Sequence, residues 1–267
     1  QLAVNPNFDC YGTVRGKNIG DSNFLHPLGT TVLVHDLRDR IELNNTLEAI
    51  GPNLIINCLS LPKTQNESVD ALEALFVNVP RAVSKIAETL SSRVINISSD
   101  AVFAGKMGYS YHEKHSTDAT DPYGVAKKNG EVCAPHVLNL RASFIGYDPF
   151  KKSGLLEWFL AKNICSLYPN YIFSGMPVPK FAEIIQNFVL NNGSLNGTYH
   201  IGTKPISKLE CLRLIAEEVN HEVEILRDDS VVINRSLETT KFAAATGYQA
   251  QSWMELRGYL CSRVRKY

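Results

Sequence analysis

Short apolar runs separated by longer helical patterns constrain this chain more than any other feature of its sequence. Residues 8–14, 31–34, 54–59, 94–97 and 137–140 are such runs, and strands alternating with helices predict a parallel sheet with crossover helices. Between the third and fourth runs, Val69, Leu72, Phe76, Val79, Val83, Ile86 and Leu90 recur at three- and four-residue steps. That spacing places them on one face of a covering helix, expected to bend near Pro80. Asp70, Glu73, Arg81, Lys85 and Glu88 fall on the opposite face.

The pattern changes after about Pro149. Helical segments at 155–163 and 181–190 precede an apolar run at 199–201, and Ser207-Lys208-Leu209-Glu210 fits a capping box that opens another helix. A strand-like stretch at 222–226 and a last helix within 253–260 follow. No repeat or low-complexity linker marks a joint, so residues 1–150 and 151–267 read as two roles within one compact body. The 267 residues suffice for a substantial core. With 27 basic against 27 acidic side chains, no surplus charge favours nucleic acid or an anionic membrane surface. No apolar run reaches the roughly 18–20 residues needed to span a bilayer, and the first residues do not read as a secretory signal. A cytoplasmic location is the resulting expectation. Six cysteines without C-x-x-C spacing argue against a zinc site or a disulfide framework. His112 and His115 read as a polar loop, and no metal is expected.

Asp121-Pro122 is a good helix opening, with an acceptor at the cap and proline at the first position. Tyr123 and Lys127 then lie one turn apart on one face, where an ammonium is expected to lower the phenol from its usual pKa of about 10. Such a tyrosine can protonate a carbonyl oxygen while hydride arrives at carbon. Upstream, the run at 94–97 ends in Ser98-Ser99-Asp100, at the strand end where open α/β sheets bind ligands. Ser99 is suited to hold a substrate oxygen; alternatively the three residues only cap the strand.

These segments, SSD-AVF-G, then YHE, DPYGVAKKNGE and LRASFIG, resemble the dTDP-4-dehydrorhamnose reductase family of extended short-chain dehydrogenases. The resemblance continues over nearly the whole chain. The IINCLS segment is similar to the strand beneath the nicotinamide ribose, Phe173-Ser174-Gly175 to a substrate loop, and Asn234-Arg235-Ser236-Leu237 to a nucleotide-facing stretch. GLLEWFL and DDSVVINRSLETTKFAAATGY look like a branch associated with bacterial surface polysaccharides.

The resemblance implies Ser99, Tyr123 and Lys127 as the catalytic set, with Lys127 also anchoring the nicotinamide ribose beside Cys58, Leu59 and Ser60. It implies Asp100 beside the substrate, with Ser143 and Phe144, where tryptophan is usual, and Ser174 near base or sugar. Ala101 stands where related 4,6-dehydratases use a glutamate, so reduction is favoured over dehydration. Lys63 either reaches a diphosphate or sugar substituent or is a solvated lysine. Arg235 either pairs with a diphosphate, as a guanidinium suits, or is simple surface charge. Arg141 reads as a buried partner for a carboxylate, outside the site.

Thr13-Val14-Arg15 ends a strand without the acid that grips an adenosine ribose, and Arg15 suits a 2′-phosphate, so NADPH is expected over NADH, with NAD left open. Asp36 resembles the adenine-side acid. The family opens with a strand, a glycine-rich turn and a helix that receive the cofactor pyrophosphate. None precedes residues 8–14, so the expected fold is a Rossmann-like parallel sheet lacking its first strand and glycine-rich loop, with a small C-terminal α/β substrate-binding portion. By that comparison the chain begins roughly twenty residues late and is expected to hold its cofactor poorly. The expected partner is a nucleotide-sugar substrate, with a homodimer left open. The rival readings are a nucleotide-sugar epimerase and a non-catalytic binding homologue.

Overall fold

The structure, a computed structural model, describes residues 7–14, 31–34, 36–61, 68–147 and 154–260. The strands of the first half form two parallel sheets. β1 (Tyr11–Val14) pairs with β2 (Thr31–Val34), and β3 (Leu54–Asn57), β4 (Arg93–Ile97), β5 (Val137–Arg141) and β10 (Gly197–His200) form a sheet in the order β10-β5-β4-β3. Among the described residues no ladder joins β1 to β3.

Helices cover both faces of the four-stranded sheet. On one face α1 (Arg40–Ile50) and α3 (Val79–Thr89) bury Leu43, Leu47, Val79, Val83 and Ala87 against Val94 and Val137. On the other, α6 (Val178–Ile184) and the turn after it bury Ile184, Ile185 and Val189 against Ile95, Leu138 and Leu140. Alternate strand residues thus feed two separate cores, as the pleat requires. Asp39 caps α1 through its side chain, and Gly51 ends the helix in the left-handed region at φ 57°.

The covering helix departs from the expected bend at Pro80. α2 (Val69–Glu73) passes through a π turn, Ala74–Asn78, into α3, so the irregularity lies just before the proline. Pro80 has no N–H, which leaves the carbonyl of Phe76 unpaired within an α-helix, and the widened turn accommodates it. Gly130 lies against that carbonyl, so closely that an added Cβ would stand 1.7 Å from the oxygen.

The later segments are α5 (Leu155–Leu160), β7 (Ile164–Leu167), β8 (Tyr171–Phe173), α7 (Lys208–Val219), β12 (Glu224–Arg227), β13 (Ile233–Asn234), α8 (Thr240–Thr246) and α9 (Trp253–Leu256). The short strands β6 (Phe144–Ile145), β9 (Met176–Pro177) and β11 (Ile206–Ser207) complete the set. Leu156, Phe159, Phe173, Leu212, Ile215 and Trp253 form a core of their own. Only half of the box expected at Ser207 forms. Its hydroxyl accepts from the Glu210 amide at 3.0 Å, while the Glu210 carboxylate turns to Arg213 at 3.3 Å. No helix among the described residues is long and apolar enough to cross a membrane.

Candidate active site

β4 delivers Ser98 and Ser99 to its carboxyl end, and the pleat separates them. Ser98 is buried and donates to Glu131 Oε1 at 2.7 Å, away from the opening. Ser99 caps a single 3-10 turn, Asp100–Val102, accepting from the Ala101 amide at 3.1 Å and donating to Asp100 Oδ1 at 3.2 Å. The capping reading therefore holds for Ser99 too, but its hydroxyl also meets that of Tyr123.

Tyr123 rises from α4 (Pro122–Asn129), which opens as expected: Asp121 accepts from the Gly124 amide at 2.9 Å and Pro122 fills the first position. Gly124 brings this helix against the turn after β4, for a Cβ there would lie 2.2 Å from the Ala101 carbonyl oxygen. The Tyr123 hydroxyl is bonded to Ser99 and also to Ser60, beyond β3. Its ring meets Phe76 edge-on at 5.4 Å.

Lys127 lies one turn further along α4. Its Nζ donates to the Ile97 carbonyl at 2.9 Å and lies 4.5 Å from the Phe76 ring centre. Burial lowers its pKa to about 8, against the opposing pull of Cys58 and Glu131. The expectation that it lowers the Tyr123 pKa is overturned. Burial and then the Asp100 charge push the phenol up to about 12, and only the bonds to Ser99 and Ser60 pull downward. Tyr123 therefore keeps its proton at neutral pH.

Cys58 and Ser60 are exposed at the end of β3, and Leu59 packs beneath them against the helices. Desolvation of its sulfur raises the Cys58 thiol, with Lys127 pulling the other way. These features fit a nicotinamide ribose: an ammonium has three donors, one of which is committed to Ile97, and Cys58 and Ser60 line an open strand end beside it. Thr13 is exposed in β1. Asp36 holds Arg38 through both carboxylate oxygens, at 2.9 and 3.1 Å to Nε. Arg15 and Lys63 lie outside the described residues.

From the later half, residues 233–238 strap the site. Asn234 donates to the Gly105 carbonyl at 2.8 Å, Arg235 to Ile172 at 2.9 Å, and Tyr111 and residues 236 and 238 exchange two further backbone bonds. Gly105, at φ 84°, permits this, since a Cβ there would meet Ile233 at 2.6 Å and Arg235 at 3.0 Å. Arg235 is thus no surface charge. Its side chain is only 13% exposed, its NH2 group lies 3.5 Å from Asp121, and its Nε is buried without a partner. Ser143 is half-buried, and Phe144 packs edge-on against Phe181 at 4.6 Å. Ser174 differs from its expected role: it is buried, and its hydroxyl is occupied by the Leu237 amide at 2.9 Å, inside the strap.

Two supports went unseen in the sequence. Asn57, Asn96 and Asn139 stand in register on adjacent strands and form a ladder, with side-chain bonds of 2.9 Å at each step. Asn96 also binds the Gly130 carbonyl at 3.1 Å and Asn139 the Val132 carbonyl at 2.9 Å, tying the end of α4 to the sheet. One asparagine near the end of each of three apolar strands was the available signal. Glu131 takes Arg141 in a two-pronged pair at 2.7 Å each, as expected of Arg141. His112 and His115 stack in a loop, and no group of three metal-ligating side chains occurs among the described residues.

Residues 18–143 match the family described as the RmlD substrate binding domain. A dTDP-4-dehydrorhamnose reductase of Aggregatibacter actinomycetemcomitans is 25% identical over 249 residues, 82% of this chain and 83% of that one. The chain is thus similar to dTDP-4-dehydrorhamnose reductases along most of its length. The chain also matches the same enzyme of Streptomyces griseus, at 26% identity, over 39% of its own length and 34% of the relative's. It superposes with a TM-score of 0.77 on the crystal structure of dTDP-4-dehydrorhamnose reductase from Bacillus anthracis in complex with NADP, at 19% identity, covering 94% of this chain and 98% of that one. This likeness shows the Rossmann-like α/β fold. The fold alone does not select a reaction, because a putative epimerase from Burkholderia cenocepacia superposes at 0.79 with 16% identity, covering 97% and 91% of the two chains.

Proposed function

We propose that this chain reduces the 4-keto group of a nucleotide-activated 6-deoxy-hexose with NADPH, in the synthesis of bacterial surface-polysaccharide precursors. The observation that carries the reading is the Tyr123 hydroxyl, kept protonated by burial and bonded to Ser99 and Ser60, with Lys127 one turn away. A bound nicotinamide supplies hydride to the carbonyl carbon. Tyr123 gives its proton to the carbonyl oxygen, so the C=O becomes CH–OH, and Ser99 hydrogen-bonds that oxygen as negative charge develops on it. Lys127 holds the ribose hydroxyls with its remaining donors, alongside Cys58, Leu59 and Ser60.

Residues 1–150 carry the cofactor side and 151–267 mainly the substrate side. Asp100 approaches the sugar. The orphaned Nε of Arg235 is a donor suited to a diphosphate oxygen. Ser143 and Phe144 approach the base or sugar. On the adenine side the charge of Asp36 is already met by Arg38, which suits a 2′-phosphate better than a bare carboxylate would. The test is NADPH oxidation with dTDP-4-dehydro-6-deoxy-glucose and with a UDP-linked N-acetylated 4-keto sugar. One NADPH per sugar reduced supports the reading, whereas sugar conversion without net NADPH consumption supports an epimerase.

The pH dependence has a definite sign. Tyr123 stays protonated to about 12, so the limb that matters is Lys127, which loses its charge as pH rises through about 8. kcat/KM is expected to be level below that pH and to fall above it; a flat profile to pH 10 would remove Lys127 from the mechanism. Stability moves oppositely. The folded pKa lies below the ordinary lysine value of 10.5, so the unfolded chain binds more protons between about 8 and 10.5 and the fold gains over that window. Activity lost there is not unfolding.

A further inference from the structure

A second phenol stands at the site, and none of the motifs that point to the chemistry includes it. Tyr171 opens β8, where it pairs in register with Ile233, the residue that leads into the strap. The guanidinium of Arg235 reaches the Tyr171 hydroxyl while also facing Asp121, the cap of the helix that carries Tyr123. A guanidinium has only donors, so the phenol oxygen accepts in that contact and the O–H remains to donate elsewhere. Asp100 and Asp121 are the acidic neighbours of Tyr171, and Asp100 is equally a neighbour of Tyr123. Lys208 Nζ lies 5.3 Å from the Tyr171 ring centre and 4.1 Å from that of Phe173. The ring is thus fixed by three elements and its polar end is turned to the group of residues that surrounds the reacting phenol. Burial, aided by Asp100, raises Tyr171 above the usual phenol range, so it keeps its proton wherever the enzyme works.

We propose that Tyr171 is a specificity-determining residue, whose phenol, oriented by Arg235, hydrogen-bonds a hydroxyl of the hexose and with Asp100 selects its configuration. The proposal rests on the nucleotide-sugar reading above. It assigns the later half of the chain a direct contact with the sugar as well as one with the diphosphate. A hydroxyl of the wrong configuration would leave the phenol and Asp100 unpaired in a partly closed site, the situation that discriminates most strongly between sugars.

The experiment compares the full chain with Tyr171→Phe by calorimetric titration of dTDP-rhamnose, of UDP-N-acetylglucosamine, and of dTDP and UDP without sugar, together with NADPH turnover. The substitution is expected to weaken the sugar nucleotide that wild type binds by about tenfold, roughly one neutral hydrogen bond, with the matching sugar-free nucleotide unchanged. KM should rise by a similar factor while kcat stays within about threefold. Equal loss for the nucleotide with and without sugar, or no loss for either, overturns the proposal. If wild type binds a sugar nucleotide with the expected Tyr171 dependence but oxidises no NADPH, the reductase reading fails and the contact stands. If wild type binds no sugar nucleotide, both fall.

Discussion

Tyr123→Phe is expected to lower kcat for keto-sugar reduction by about 10²- to 10⁴-fold, the usual worth of a positioned general acid. The substitution removes one oxygen and leaves the ring on Phe76. Ser99 retains its bonds to Asp100 and Ala101, so the turn after β4 should survive. Stability should change by only about 1 kcal/mol, and cofactor binding should be close to wild type. Steady-state kinetics with a urea unfolding curve check this. A variant that keeps a tenth or more of wild-type kcat would show that the proton comes from elsewhere.

The largest expected effect on stability lies one layer below. Glu131→Ala leaves Arg141, only 7% exposed, without the carboxylate that grips it twice. Arg141 also lies over the Phe103 ring at 5.1 Å and beside His200, whose pKa burial and the Arg141 charge lower to about 3. That imidazole is neutral at working pH and cannot replace the lost anion. Breaking such a buried pair costs about 3–5 kcal/mol. Ser98 loses its acceptor as well. Equilibrium urea unfolding should show the midpoint falling with little change in slope. A loss under about 1 kcal/mol would mean that Arg141 finds water or another partner.

The parallel sheet was legible because its strands are short and apolar, and because one amphipathic stripe, Val69 to Leu90, can only cover such a sheet. The opening of α4 was legible because the signals are local: a capping side chain, a proline and two residues one turn apart. What was not legible depends on chain segments distant in sequence. The Phe76 carbonyl against Gly130, with the π turn beside it, needs two helices to be brought together. Ser60 becomes a partner of Tyr123 only once β3 and α4 are adjacent, and Ser174 turns out to be spent on Leu237. The same limit explains the error over Lys127. Spacing placed its ammonium on the face of Tyr123, but its Nζ donates to the Ile97 carbonyl, and burial, then Asp100, sets the pKa of the phenol.

The most direct test follows the hydride. With NADPH carrying deuterium on the transferred position at carbon 4 of the nicotinamide and a nucleotide-linked 4-keto-6-deoxy-hexose, the account predicts one deuterium on the former keto carbon for each NADP formed. The Tyr123→Phe variant should form little of either. Sugar product that carries no deuterium, formed while NADPH is not consumed, would contradict the assignment of this cleft to keto-sugar reduction.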